Sequence, residues 1–300
     1  MVNDYTGRLL YLAHEKAHGC ALGALPPGYG PKDVTVLMVI AGHGPLAQHA
    51  LAGILDVNRT VMVHLIDDLE SRGLVRRDRN PDDRRSYALS LTANGRRVLR
   101  RLTTALDRGE RHLIEALSPP QHEQLRASLR RLLPDPDHPR PPELADRVGY
   151  LLAKSHLHLR ALAESRLADS NLQMRHFSVL ELLSRLQPCS QQDLARTLDV
   201  SAPVVLEAVE PMEAKGFVER TRSRTDRRAY ELRLTDAGAA WLDVCWSGVN
   251  EVQDFVEDRL GGQGAAELND LLRLVVGGAA ASATYPRTRV SSPQRVDGDE

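Results

Sequence analysis

Two stretches of the chain concentrate side chains that recognise phosphates and base edges. In the first, Asn58, Arg59, Thr60 and His64 stand with Met62 and Val63 at the start of a helical-period segment. Arg59 can pair bidentately with guanine or hold a phosphate, and Asn58 and Thr60 can bond to either. The second, residues 72–85, holds Arg72, Arg76, Arg77, Arg79, Arg84 and Arg85 against three aspartates, Asp83 among them, for a local charge of +3. Taken singly, each stretch has a plainer reading, with Asn58 and Thr60 as helix caps, Arg59 as a solvated cation and the arginines as a charged surface loop. A polar helix start followed closely by a basic hairpin is a joint signal for double-stranded DNA.

For these side chains to meet one ligand, a helix must project the first group and a hairpin the second. Leu9, Leu12, Ala13 and Lys16 follow a helical period that ends before GALPPGYG, where glycine and proline stop it. A second helix is predicted from about Pro31 to Ala41, with Val34, Leu37, Met38 and Ala41 inward, closed by Gly42–Pro45. A short helix (47–55), a turn at Asp56-Val57-Asn58 and a longer helix (59–72) with Val61, Leu65, Ile66 and Leu69 inward follow, with Asn58 as N-cap and Gly73 just past the C-cap. Two short helices joined by such a turn are a helix-turn-helix, whose second helix enters the major groove by its N-terminal residues. LVRRDR and YALSLT alternate as strands around NPDDRRS and predict a wing. Thr92 then caps a long helix beginning ANGRRVLRRL, and a last helix follows Pro119-Pro120. The fold class is mainly α with small β-hairpin wings: winged helix-turn-helix units bracketed by long helices.

The unit occurs twice. Shifting the chain by 143 residues lays Gln48–Gly95 on Gln191–Gly238 without a gap, and 20 of those 48 positions are identical, which makes the chain a tandem repeat. Val36-Leu37 falls on Val179-Leu180 and Pro45 on Pro188 in the same register. Between the copies, the five prolines of LPDPDHPRPPE (133–143) favour a stiff, extended connector. The expected domains are therefore 1–133 (copy one), a linker at 134–143, 144–284 (copy two) and a disordered tail at 285–300.

The pattern LxxxLxV, then a helix ending LExRGLVxR, then DxRxxxLxLTxxG, resembles the MarR family of winged-helix transcription regulators. It reads LAGILDV, LESRGLVRR and DRRSYALSLTANG in copy one, and LARTLDV, MEAKGFVER and DRRAYELRLTDAG in copy two. With its flanking helices the resemblance covers about 5–133 and 146–276. It implies a wing arginine in the minor groove, positioned by an aspartate, which carries over to Asp83 with Arg85 and to Asp226 with Arg228. It also implies pairing through first and last helices, so a fused chain makes an intramolecular pseudo-dimer. A small-molecule effector of unidentified chemistry is expected in a pocket between the terminal helices and the DNA-binding lobe.

The copies are not equivalent. Copy two sets Ser201, Ala202, Pro203, Val204, Val205, Leu206 and Glu207 where copy one has Asn58 to His64. Residues 201–214 hold no basic residue and three glutamates, Glu207, Glu210 and Glu213, which phosphates would repel. Pro203 suits a first helical turn, but Pro211 lies mid-helix, at a cost of about 3 kcal/mol unless a kink absorbs it. A basic wing survives in Arg220, Arg222, Arg224, Arg227 and Arg228. Residues 1–133 hold 19 basic against 14 acidic groups and 134–300 hold 20 against 26, so the formal net charge of −1 conceals a basic first half. Copy one is expected to read sequence, while copy two scaffolds the pair and meets DNA through its wing, in a salt-sensitive complex.

Other chemistry is disfavoured. No apolar run approaches a membrane span, and the N-terminus carries charges where a signal peptide needs an apolar core, so a cytoplasmic protein is expected. Cys20, Cys189 and Cys245 are too scattered for a disulfide framework or a metal site. His14 with His18, and His156 with His158, lack the cysteine or carboxylate partners that would complete a metal site, so no metal and no cofactor are expected. Trp241 and Trp246 fit a core or seam role better than ligand stacking. There is no glycine-rich phosphate loop, nucleophile elbow or paired catalytic carboxylate, so the chain is not expected to be an enzyme. The expected function is a ligand-responsive DNA-binding repressor, acting as a monomeric pseudo-dimer or as a homodimer presenting two copy-one heads. The alternative is an antirepressor-like interaction module that pairs with other winged-helix regulators and binds DNA weakly.

Overall fold

The computed structural model describes residues 5–79, 87–135, 140–165, 174–198, 201–222 and 230–277. Copy one opens with α1 (Thr6–Ala24), whose Leu9, Leu10, Ala13, Ala17 and Ala21 recur at helical spacing and are all buried. In α2 (Pro31–His43), proline occupies the first turn and the Gly30 N–H donates to the Asp33 carboxylate at 2.8 Å. Then come β1 (Leu46–Ala47), α3 (Gln48–Leu55) and α4 (Arg59–Ser71), where the Asn58 side chain accepts from the Thr60 N–H at 2.8 Å as the expected cap. The wing is β2 (Val75–Arg79) and β3 (Tyr87–Leu91), which with β1 form an antiparallel sheet in the order β1-β3-β2. Thr92 caps α5 (Ala93–Leu113) by accepting from the Gly95 N–H at 2.9 Å, and α6 (Pro119–Arg131) ends the copy.

Copy two repeats the order with α8 (Val148–Glu164), α9 (Met174–Leu186), α10 (Gln191–Leu198), α11 (Ala202–Ala214), β4 (Val218–Arg222), β5 (Tyr230–Leu234) and α12 (Asp236–Val276). Two differences are local. A single bridge between Cys189 and Leu232 stands where copy one has β1. The two last helices expected from copy one run together as α12, broken only at Gly261, whose φ of 75° interrupts the helical backbone 143 residues after Ser118. The linker also departs from expectation. Pro142–Ala145 forms a short helix, α7, because proline is at home in a first helical turn, and its Leu144 is buried in the copy-one core. Residues 285–300, expected as a tail, lie outside the described residues.

Among the described residues, three cores organise the molecule. One head packs Leu37, Leu51, Ile66 and Leu89, and the other packs Leu180, Leu194, Val209 and Leu232. The third is a shared seam in which Leu9, Leu10 and Leu125 of copy one meet Leu151, Leu152 and Val256 of copy two. Here α1 packs on α12 and α6 on α8, so each copy's last helix lies on the other's first. Shifting by 142 residues lays α1 on α8: Gly7 on Gly149, Leu9-Leu10 on Leu151-Leu152 and His14 on His156. The His14 and His156 rings stack with centroids 5.2 Å apart, marking the pseudo-dyad. The match is not complete, since buried Ser155 donates to the Leu129 carbonyl at 3.0 Å and its counterpart is Ala13.

Candidate nucleic-acid interface

In α4 the apolar period turns Met62, Ile66 and Leu69 into the core, so Met62, expected outward beside the DNA-facing side chains, is buried, and Val61, expected inward, is exposed. That leaves Asn58, Arg59, Thr60, Val61, Val63 and His64 exposed on one helix start. Four candidate residues from the sequence, Asn58, Arg59, Thr60 and His64, thus share one accessible surface. Capping and recognition are compatible here: the Asn58 carbonyl oxygen is engaged with Thr60, and its NH2 group remains a donor.

The wing differs from its expected role at Arg77. Alternation along β2 points Val75 and Arg77 to the face that meets α4, and there the Arg77 guanidinium pairs with Glu70 and, at 2.5 Å, with Asp67, while also donating to Gln48. Arg77, grouped by its sequence context with the DNA contacts, is a brace between the wing and the recognition helix. Its copy-two counterpart repeats this, Arg220 pairing with Glu213 at 3.1 Å. One of the three glutamates expected to repel phosphate is thereby neutralised. The sequence held the signal: glutamate and arginine seven apart are identical in both copies. Arg72 pairs with Asp68 at 2.8 Å and lies over the Tyr29 ring, and Arg76 pairs with Asp78 at 2.9 Å. Arg79 and Arg222 are exposed at the outer ends of β2 and β4. Asp83, Arg84, Arg85, Arg224, Asp226, Arg227 and Arg228 lie outside the described residues.

In copy two, α11 buries Val205, Val209 and Met212 and exposes Ala202, Pro203, Val204, Leu206, Glu207 and Glu210. At its start the outward face is apolar, with Glu207 after it, where the start of α4 presents Arg59, Thr60 and His64. Pro211 sits inside the helix, as expected, without ending it.

A cavity of about 780 Å3 opens between the seam and the copy-two head, lined by Arg8, Tyr11, Leu12, Phe177, Leu198 and Val204 among others. The Arg8 Nε is buried without a hydrogen-bond partner, and burial pulls its guanidinium pKa below the usual arginine value. The corresponding junction of copy one is bridged. Lys154, the α8 counterpart of Leu12, donates from Nζ to the Leu55 carbonyl at 2.7 Å and lies 3.6 Å from Asp56, in the turn of the helix-turn-helix. Tyr150, the counterpart of Arg8, packs against the copy-one core. The sequence reading missed Arg8 and Lys154, because neither lies in a motif; only the 142-residue register of the terminal helices pairs them with Tyr150 and Leu12. Among the described residues no cluster of three metal-ligating side chains occurs, and no helix is long and apolar enough to cross a membrane. Trp241 is buried against Phe217, and Trp246 lies edge-on to Tyr5 and Phe177.

Comparison with known proteins matches the MarR family at two separate regions, residues 31–87 and 172–230. A protein from Thauera aromatica described as a transcriptional regulatory protein for the hcr operon is 37% identical over 110 residues, which are 37% of this chain and 63% of that one. The chain thus spans less than two thirds of that relative's length. Among solved structures, a probable transcriptional regulator from Pseudomonas aeruginosa is 27% identical, with a TM-score of 0.43 over 44% of this chain and 100% of that one. The transcriptional repressor CouR, bound to a 23-mer DNA duplex, is 29% identical, with a TM-score of 0.41 over 47% of this chain and 100% of that one.

Proposed function

We propose, from the premise that the chain belongs to the MarR family through two copies of its domain fused in one polypeptide, that it is a sequence-specific DNA-binding transcriptional regulator of the ligand-responsive repressor type. Copy one reads the major groove, both wings hold backbone or minor groove, and the working unit is the single-chain pseudo-dimer. The observation that carries this reading is the start of α4, where Arg59, Thr60 and His64 stand exposed beside the capping Asn58. The cavity beside α11 supports the ligand-responsive part. A largely apolar space lined by Arg8, whose Nε is buried without a hydrogen-bond partner, and by Arg160, with Glu164 and Glu207 also on its wall, suits an organic anion with an apolar body, whose carboxylate would meet Arg8. Such a ligand represses or releases binding only in so far as its affinity differs between the DNA-competent and DNA-free arrangements of the heads.

The test is selection of duplexes from a random pool by the intact chain, followed by titration of the selected and a scrambled duplex at two salt concentrations. The expected result is a preferred duplex whose affinity falls steeply with salt. No preference at any salt would sink the reading. A second reading, an interaction module that binds other regulators rather than DNA, is favoured by one feature, the apolar and acidic outer face of α11. Titration of the same intact chain with duplex DNA separates the two.

A further inference from the structure

Most of the identities between Gln48–Gly95 and Gln191–Gly238 have a structural cause. Leucines and valines at shared positions fill the two head cores, Glu70 and Glu213 hold Arg77 and Arg220, and Thr92 and Thr235 cap the following helices. Among the positions exposed in both copies, Gly73 and Gly216 take φ values of 65° and 72°, a backbone that favours glycine. Three exposed identities remain among the described residues: Val61 with Val204, Arg79 with Arg222, and Tyr87 with Tyr230.

The last two are one arrangement. Tyr87 faces Arg79 across the wing ladder, and Tyr230 faces Arg222 at the same register, so each ring shares a ribbon face with a guanidinium. Two residues along that face lie Arg77 and Arg220, which reach the recognition helix of their own copy. Each tyrosine–arginine pair therefore sits on the side of the wing that meets α4 or α11. Tyr87 is 57% exposed and Tyr230 50%, and neither arginine has an ion-pair partner among the described residues, in contrast to Arg72, Arg76, Arg77 and Arg220. A phenol O–H donates to a phosphate oxygen and a guanidinium neutralises its charge; neither contact depends on base identity. These pairs persist where the helix starts have diverged from Asn58, Arg59 and Thr60 to Ser201, Ala202 and Pro203.

We propose that Tyr87 with Arg79, and Tyr230 with Arg222, are matched phosphate-binding pairs at the stem of each wing. Copy two then still grips the DNA backbone although its helix has lost the base-reading side chains. This rests on the DNA-binding function proposed above, and the test keeps the two failures apart. The intact chain and its Tyr87→Phe, Tyr230→Phe, Arg79→Gln and Arg222→Gln variants are titrated with the selected duplex and with a scrambled duplex of equal length, from low to moderate salt. Each Tyr→Phe change is expected to weaken both duplexes by the same factor, about fivefold, without altering the salt slope. Each Arg→Gln change is expected to reduce the slope of log affinity against log salt by about one. All four side chains are exposed, so the variants should fold, as circular dichroism would verify. If the Tyr→Phe variants bind both duplexes within twofold of the unaltered chain, or if Tyr230 and Arg222 prove silent while Tyr87 and Arg79 do not, the matched pairs are refuted and DNA binding stands. If the unaltered chain binds neither duplex, the DNA-binding function itself falls, and the pairs with it.

Discussion

The two heads are attached to the shared seam in different ways. Copy one is bridged, with the Lys154 ammonium on the Leu55 carbonyl, Tyr150 against the head core, and Arg147 paired with Asp107 at 2.7 Å and Glu110 at 3.1 Å. Copy two has a cavity in the corresponding place, with Leu12 and Arg8 where copy one is served by Lys154 and Tyr150. The difference falls along the same line as the chemistry of the recognition helices. The head whose helix start exposes Arg59, Thr60 and His64 is held from the seam by a charged hydrogen bond, and the head without them has room beside it. Fixing a reading helix before it meets DNA reduces the ordering cost of binding, whereas a head beside a cavity can shift when the cavity fills.

Substitutions at equivalent positions can break or sharpen this contrast. The largest effect is expected from Pro211→Ala, which restores a helix-interior N–H in α11 and should raise stability by up to about 3 kcal/mol, read as a higher denaturant midpoint. Copy one has Asp68 at that position, paired with Arg72, and Asp68→Pro should cost a similar amount. Next, Arg59→Ala should weaken binding to the selected duplex by about 1–3 kcal/mol, while Pro203→Ala should leave it within twofold; equal losses in titration would erase the assignment of reading to copy one. Lys154→Met should cost about 1–2 kcal/mol by leaving the Leu55 carbonyl without its partner, and should speed amide hydrogen exchange in α3 but not in α10. Uniform exchange in both helices would show that the bridge does not distinguish the heads.

The smallest effect concerns the pseudo-dyad, which both heads share. Burial, then the nearby His14 and Arg160, hold His156 down to about 4, and burial also lowers His14. A histidine depressed in the fold takes up protons more readily when unfolded, so stability rises with pH across the interval between the folded and unfolded values. It should be complete above the ordinary value of 6.5 and decline as pH falls from there towards 4. Denaturant midpoints at pH 7 and pH 5 should converge in His156→Gln, and an unchanged pH profile would exclude the stacked pair as the cause.

Local structure was largely legible because local rules settle it. Asn58 and Thr92 act as caps where hydroxyl and amide capping chemistry places them, and Ile66 and Leu69 lie inward on α4 as expected, but its first turn is rotated from the expected phase, with Met62 buried in place of Val61. The 143-residue repeat likewise announced the second head. Charge was read less well. Counting arginines in 72–85 gave a basic wing, but strand alternation turns Arg77 inward to Glu70 and Asp67, and Arg72 and Arg76 find aspartates. A net charge does not reveal pairing between side chains brought together by folding. The end of the connector departs for a related reason: five prolines suggest an extended chain, yet Pro142 starts a helical turn once Leu144 has a core to enter, while residues 136–139 lie outside the described residues. The Lys154 bridge had no sequence signature, since it joins segments far apart in the chain, and a pocket beside the terminal helices was expected only from the family resemblance, which did not say which copy would hold it.

Ser155, buried against Leu129 with Ala13 as its counterpart, carries a consequence that reaches past packing. Two identical subunits about a true twofold must offer the same residue to both sides, so such a hydroxyl would be present twice or not at all. One polypeptide escapes that obligation, and its seam has acquired a left and a right. On the DNA-binding function proposed above, a molecule with a front and a back would take one heading on a duplex and could face a gene's start in a way that a palindrome-bound homodimer cannot.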